Sequence, residues 1–169
     1  MRYRTSAVSY TVRRPPHVHL PNTPYFVSTR ARRSVFSGAV AGLAVQQLLA
    51  ERKRYAFLLL AYVFMPDHAH FVIVPAPGYT ITQTMRIVKG SVARRVNGAL
   101  GTKGAIWQEG FYDRIAHTLE QLNAYVEYVH KNPCEAGIAG SAEDYPYSSA
   151  DGSCMDDYVR FLTVAQDER

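Results

Sequence analysis

The chain lacks any apolar run long enough to cross a bilayer. Its longest, Tyr55 to Met65, falls well short of the ~20 residues a spanning helix needs. Basic residues open the chain at Met1-Arg2-Tyr3-Arg4, but no apolar stretch follows them, so no secretory signal is expected. Cysteine is scarce. Cys134 and Cys154 are the only ones, and no Cys-x-x-Cys pair exists. That argues against a disulfide framework and a zinc ribbon, and makes a reducing cytoplasm the expected compartment. No glycine-rich phosphate loop is present, so chemistry driven by nucleotide hydrolysis is not expected. Internal repeats and low-complexity segments are absent as well.

What remains is ordinary globular material with a basic bias. Hydrophobic residues make up 47% of the 169 and charged residues 20%, enough for one domain with a real core. The net charge of +5 favours polyanionic partners, because each neutralised phosphate releases counterions. The charge is unevenly placed. Arg2, Arg4, Arg13, Arg14, Arg30, Arg32 and Arg33 load the start, Arg52, Lys53 and Arg54 follow, and the segment after Glu135 is acidic. We divide the chain into a basic, proline-rich arm over 1–20, a folded domain over 21–150 and a C-terminal tail over 151–169.

Periodicity supplies the elements. Pro24 to Arg30 is aromatic and β-branched and predicts a strand. Ser37 is a candidate N-cap for a helix over Ala39 to Arg54. Two apolar runs, Tyr55 to Phe64 and His68 to Pro75, flank Pro66-Asp67 and predict a β-hairpin. Thr80 to Asn97 predicts a second helix, with Ile81, Met85 and Val88 on one stripe and Arg86, Lys89, Arg94 and Arg95 on another. Gly98 to Gly104 reads as a loop and Tyr112 to Ala116 as a short strand. The order strand, helix, strand, strand, helix, strand predicts an α+β, ferredoxin-like (RRM-like) antiparallel sheet. A third helix starts at Thr118, with Gln121 placed for a capping box, and is expected to end near Lys131, before Asn132-Pro133.

Two features carry chemistry. His68 and His70 are i and i+2 on a strand, so both imidazoles leave the same face, beside Val72 and Val74. That spacing suits chelation of one divalent metal, although a bare His-x-His also serves as polar surface. On the third helix, Gln121, Tyr125, Tyr128 and Asn132 are separated by alternating steps of a helical turn and form one polar stripe. Leu119, Leu122, Val126 and Val129 form the adjoining face that can dock on a core. Asn132 could complete a metal site while Tyr128 points at substrate. Asp67 could orient a ligand histidine. His17-Val18-His19 repeats the His-x-His pattern, but in the arm and without a partner tyrosine.

Read together, these stretches resemble the IS200-like tyrosine transposases of the HUH superfamily, and among them the REP-associated tyrosine transposases. The likeness rests on Val63-Phe64-Met65-Pro66-Asp67-His68-Ala69-His70, Ile106 to Asp113, Tyr128-Val129-His130-Lys131-Asn132-Pro133 and Asp144-Tyr145-Pro146-Tyr147-Ser148-Ser149. The resemblance implies a helix-borne catalytic tyrosine on the ferredoxin-like sheet. It implies single-stranded or hairpin DNA as substrate, Mg²⁺ or Mn²⁺ as cofactor and a covalent 5′-phosphotyrosine intermediate. By position, Tyr128 matches the nucleophile, and His68, His70 and Asn132 match the metal ligands. Lys89, Arg94, Arg95, Arg30 and Arg32 are expected to contact the DNA backbone. A homodimer is one expected assembly, because plainer members of the group place one chain's tyrosine helix over the partner's histidines. The competing expectations are a non-catalytic single-stranded nucleic-acid-binding module, and a phosphodiesterase that uses water and does not need Tyr128.

Overall fold

The structure, a computed structural model, describes residues 17–167. Residues 1–16 of the basic arm, with their arginines, lie outside the described residues. Strand β1 (Tyr25–Arg30) leads to helix α1 (Gly38–Tyr55) and the hairpin of β2 (Leu58–Met65) and β3 (His68–Val74). Helix α2 (Ile81–Leu100), strand β4 (Tyr112–Ile115) and helices α3 (Leu119–Glu135) and α4 (Met155–Asp167) follow. Every strand pairing is antiparallel and the sheet order is β2-β3-β1-β4. This is the expected ferredoxin-like α+β topology, with additional helices after β4.

Strand alternation divides the core in two. Tyr25, Val27, Phe71 and Ile73 point to one face, where they meet Ala41, Ala44 and Leu48 of α1 and Met85, Val88, Val92 and Val96 of α2. Phe26, Val72 and Val74 point to the other, where Leu122 and Val129 of α3 cover them. The first face is sealed along its length by two helices. On the second, α3 packs on β2 and β3 and leaves the end with His68 and His70 partly open.

Element boundaries depart from the sequence reading in ways that have local causes. Tyr55 belongs to α1, which stops when Ala56 adopts a left-handed φ of 55°. Ser37 sits at the N-cap, but its side chain makes no capping bond there. The full capping box is on α2 instead: Thr80 Oγ1 accepts from the Gln83 amide, and Gln83 Oε1 accepts from the Thr80 amide. Helix α2 also continues past Asn97 to Leu100, where Gly101 caps it at a φ of 63°. Gln121 does not close a box with Thr118, because its Oε1 accepts from the His117 amide.

The largest correction concerns Asn132-Pro133. Helix α3 runs through both residues to Glu135. A proline inside a helix forfeits one backbone bond and disfavours helical geometry before it. Here Val129, Asn132 and Pro133 are all buried, and that packing outweighs the local preference. Leu119, expected on the docking face, is instead half exposed at the first turn.

Residues read as a tail carry α4. Its Asp157 carboxylate accepts from both Arg52 Nε and Nη2 at 2.5 Å and from the Leu59 amide at 2.8 Å, which ties the helix to α1 and β2. The Tyr145-to-Ser149 segment lies along the outer edge of β2. Phe64 N–H donates to Tyr147 O, Ser149 N–H donates to Tyr62 O, and the Tyr145 hydroxyl donates to Phe64 O. It covers an edge that would otherwise present unpaired backbone groups.

Candidate active site

Register places the site. Across β1 and β3, Ser28 pairs with His70 and Arg30 with His68. Opposed residues in an antiparallel pair share a face, so Phe26, Ser28, Arg30, His68, His70 and Val72 line one surface. Helix α3 crosses this surface with the stripe that contains Tyr125, Tyr128 and Asn132. The Phe26 ring anchors it, lying 5.3 Å from Tyr125, 5.6 Å from Tyr128 and 5.4 Å from His70 between ring centroids. Tyr128 is 43% exposed and its ring centroid lies 5.3 Å from that of His70. Its ring is held by aromatic contacts while much of the side chain remains exposed.

The two histidines have different environments. His68 Nδ1 lies 2.7 Å from Asp67 Oδ1, and this hydrogen bond holds the Asp67 carboxyl below its ordinary range. His68 Nε2 lies on the other side of the ring, 3.4 Å from Asn132 Oδ1. An imidazole nitrogen and an amide oxygen brought together in this way are atom types that can ligate one cation. His70 is buried, and its Nδ1 has no hydrogen-bond partner. Burial, reinforced by His68 and Arg30, pushes its pKa down to about 3. The ring is therefore neutral at physiological pH, the state in which imidazole ligates metals. Among the described residues no cluster of three or more His, Cys, Asp or Glu forms. The donor set is instead two imidazoles and an amide oxygen, atom types that fit a divalent ion.

Of the residues singled out in the sequence, His68, His70, Tyr128, Asn132 and Arg30 converge here. Lys89, Arg94 and Arg95 do not. They lie on α2, which packs on the opposite face of the sheet. Lys89 Nζ donates to the carbonyls of Gln108 and Gly110 and so braces a loop. Arg32 Nε donates to Trp107 O at 3.3 Å, beside the sheet edge. His17 is engaged away from the site, contacting Asp113 and stacking on Phe111. Trp107 and Phe111 are core residues. Sequence reasoning did not single out Phe26, Ser28 or Arg114. Phe26 and Ser28 were accessible from strand parity, counting back in twos from Arg30. Arg114 lies over the Tyr112 ring at 5.5 Å to the centroid and had no motif to mark it.

The family model described as "Transposase IS200 like" matches residues 17–132, a span that ends on Asn132 and includes both histidines and Tyr128. The chain belongs to the IS200-like transposase family. No curated protein matches it by sequence. Among solved structures, this transposase is similar to a REP-associated tyrosine transposase solved bound to a REP hairpin. The TM-score is 0.70 at 20% identity, covering 83% of this chain and 84% of the other. It is also similar to a protein of Deinococcus radiodurans R1 provisionally assigned as a transposase. There the TM-score is 0.50 at 24% identity, covering 69% of this chain and 95% of the other. At these identities the likeness establishes the shared fold. No helix among the described residues of the transposase is long and apolar enough to cross a membrane.

Proposed function

We propose that this transposase nicks and rejoins single-stranded DNA, with Tyr128 as nucleophile and His68, His70 and Asn132 as ligands of Mg²⁺ or Mn²⁺. The observation that carries the reading is the convergence of four side chains: His68 Nε2 lies 3.4 Å from Asn132 Oδ1, the neighbouring His70 has a buried Nδ1 with no hydrogen-bond partner, and the Tyr128 ring lies 5.3 Å from that of His70. When bound, the ion supplies Lewis-acid polarisation of the scissile phosphate. The Tyr128 oxygen forms a bond to phosphorus, the bond from phosphorus to the 3′ oxygen breaks, and the phenolic proton leaves to solvent. The 3′ oxygen departs as a hydroxyl after taking up a proton. A phenol ionises only near ~10 in water, so attack is assisted by cationic surroundings. Arg30, exposed and paired with His68 across the strands, is placed to hold a neighbouring phosphate. The second half is the reverse: a 3′-hydroxyl attacks the phosphotyrosine, reseals the strand and frees Tyr128. No external energy source is required, because the bond is conserved as an ester.

His68, His70, Tyr128 and Asn132 come together within one copy of the chain, which supports a site formed in cis. Hairpin DNA is the substrate class we assign, following the relative solved with a REP hairpin. The test is incubation of end-labelled single-stranded hairpin DNA with Mn²⁺ and the transposase, followed by a denaturing gel. A protein–DNA adduct that forms with wild type and disappears in Tyr128→Phe is the expected result. Cleavage without an adduct, unchanged in Tyr128→Phe, would assign the site to a phosphodiesterase that uses water. Binding without cleavage across several hairpins would leave a binding module.

A further inference from the structure

On the site face, one row of the sheet runs Tyr112, Ser28, His70 across β4, β1 and β3. The two ends of the row carry rings and the middle carries a small hydroxyl. With strands ~4.8 Å apart, the two ring-bearing strands stand about 10 Å apart. Stacked rings have centroids ~4.5–7 Å apart, so one flat ring fits between them. The gap over Ser28 belongs to a cavity of about 410 Å³, bounded also by Phe26, Tyr125 and Tyr128. Strand β4 is the edge of the sheet, so the gap can be entered from the side.

The lining points to a nucleobase. It is largely aromatic and contains no carboxylate to repel a DNA strand. Tyr112 is 50% exposed and its ring belongs to neither apolar core. The ring is nevertheless held in place. Arg114 lies over it at 5.5 Å to the centroid, and Arg114 Nε donates to its hydroxyl. An exposed ring fixed beforehand is a stacking platform, and stacking accepts any base because each has a π-face. Cations stand on both sides. Arg30 and Arg114 occupy the rows before and after Ser28, each ~7 Å along the strands. The phosphates that flank a base inserted over Ser28 therefore meet an arginine in either direction.

We propose that one unstacked base of the substrate strand, from a nucleotide next to Tyr128, inserts over Ser28 and stacks on Tyr112, with Arg114 bracing the ring and holding an adjoining phosphate. This rests on the reading that the site face binds single-stranded DNA, but not on Tyr128 as nucleophile.

The experiment uses full-length Tyr128→Phe protein in EDTA, so that neither adduct nor cleavage intervenes. Fluorescence anisotropy compares a labelled thymidine dodecamer with a dodecamer of abasic residues. Tyr112→Ala should weaken binding of the thymidine strand roughly fivefold or more, and of the abasic strand less than about twofold. Tyr112→Phe keeps the ring and should stay within about twofold of the parent on both strands. Equal losses on the two strands, no loss on either, a loss in Tyr112→Phe as large as in Tyr112→Ala, or no binding of the thymidine strand by the parent overturns the proposal. A second measurement needs no Tyr112 variant. The parent protein is irradiated with a dodecamer of 5-iododeoxyuridine, and crosslinked peptides are mapped by mass spectrometry. The crosslink should fall on Tyr112 or on Tyr125, another wall of the cavity. Crosslinks confined to residues outside the cavity, or none, overturn the proposal. The two readings fail separately. Base stacking that depends on Tyr112, with no adduct in the cleavage assay, would sink only the catalytic reading. An adduct there with no Tyr112 dependence here would sink only this one.

Discussion

The two faces of the sheet are built from the same strands and do different work. On the face under α1 and α2, Tyr25, Val27, Phe71 and Ile73 are fully buried among apolar neighbours. On the face under α3, the alternate residues start apolar at Val72 and Val74 and turn polar at Ser28, Arg30, His68 and His70. One strand, β3, thus contributes Phe71 to a dry core and His70, its neighbour, to a site. A one-residue slip in register would exchange them. The sealed face holds the register so that the open one can carry the polar residues we propose as metal ligands.

That division makes the faces separable by mutation. Phe71→Ala should give the largest effect, a loss of about 3–5 kcal/mol in denaturant unfolding, since a ring is removed from a closed core. A loss below about 1 kcal/mol would mean that this face is not the stabilising one. Asp157→Ala should cost about 1–3 kcal/mol, because the buried Leu59 amide loses its acceptor and Arg52 its partner. This would show that α4 belongs to the fold. On the open face, Asp67→Ala should leave the unfolding midpoint nearly unchanged and weaken Mn²⁺ binding, read by calorimetry, roughly 10–100-fold. If unfolding shifts and binding does not, Asp67 is a turn residue and nothing more.

The smallest effect is in pH. His70 stays neutral in the fold down to about pH 3, whereas an unfolded histidine takes up its proton near ~6.5. The unfolded chain then binds a proton that the fold refuses. Stability from this residue is complete above the unfolded value and declines as pH falls from there toward 3. Metal-free wild type should therefore lose melting temperature between about pH 6.5 and 4 more steeply than His70→Gln. Parallel curves would show that His70 is not held neutral by burial.

Much of this was legible beforehand, for identifiable reasons. The strand-helix-strand-strand-helix-strand order followed from local periodicity, and the shared face of His68 and His70 from strand geometry alone. Tyr128 and Asn132 shared a helix face whatever the tertiary structure. What periodicity cannot carry is which face of the sheet each helix covers. That is why Lys89, Arg94 and Arg95 were grouped with the site and lie behind it. Local rules also misjudged Asn132-Pro133, where burial of Pro133 and Asn132 keeps the helix going and brings the Asn132 amide to His68. Helix α4 was missed because its role rests on Asp157 reaching Arg52 and Leu59, a contact between residues about a hundred positions apart.

The most direct test of the central claim is to find the atom that carries the DNA. The adduct formed on hairpin DNA with Mn²⁺ would be digested with nuclease and protease, and the nucleotide-bearing peptide sequenced by mass spectrometry. The account predicts a nucleotide on Tyr128, within the segment Glu127 to Lys131, and on neither Tyr125 nor Tyr112. A nucleotide on Tyr125 or Tyr112, or cleaved DNA with no modified tyrosine, would contradict it.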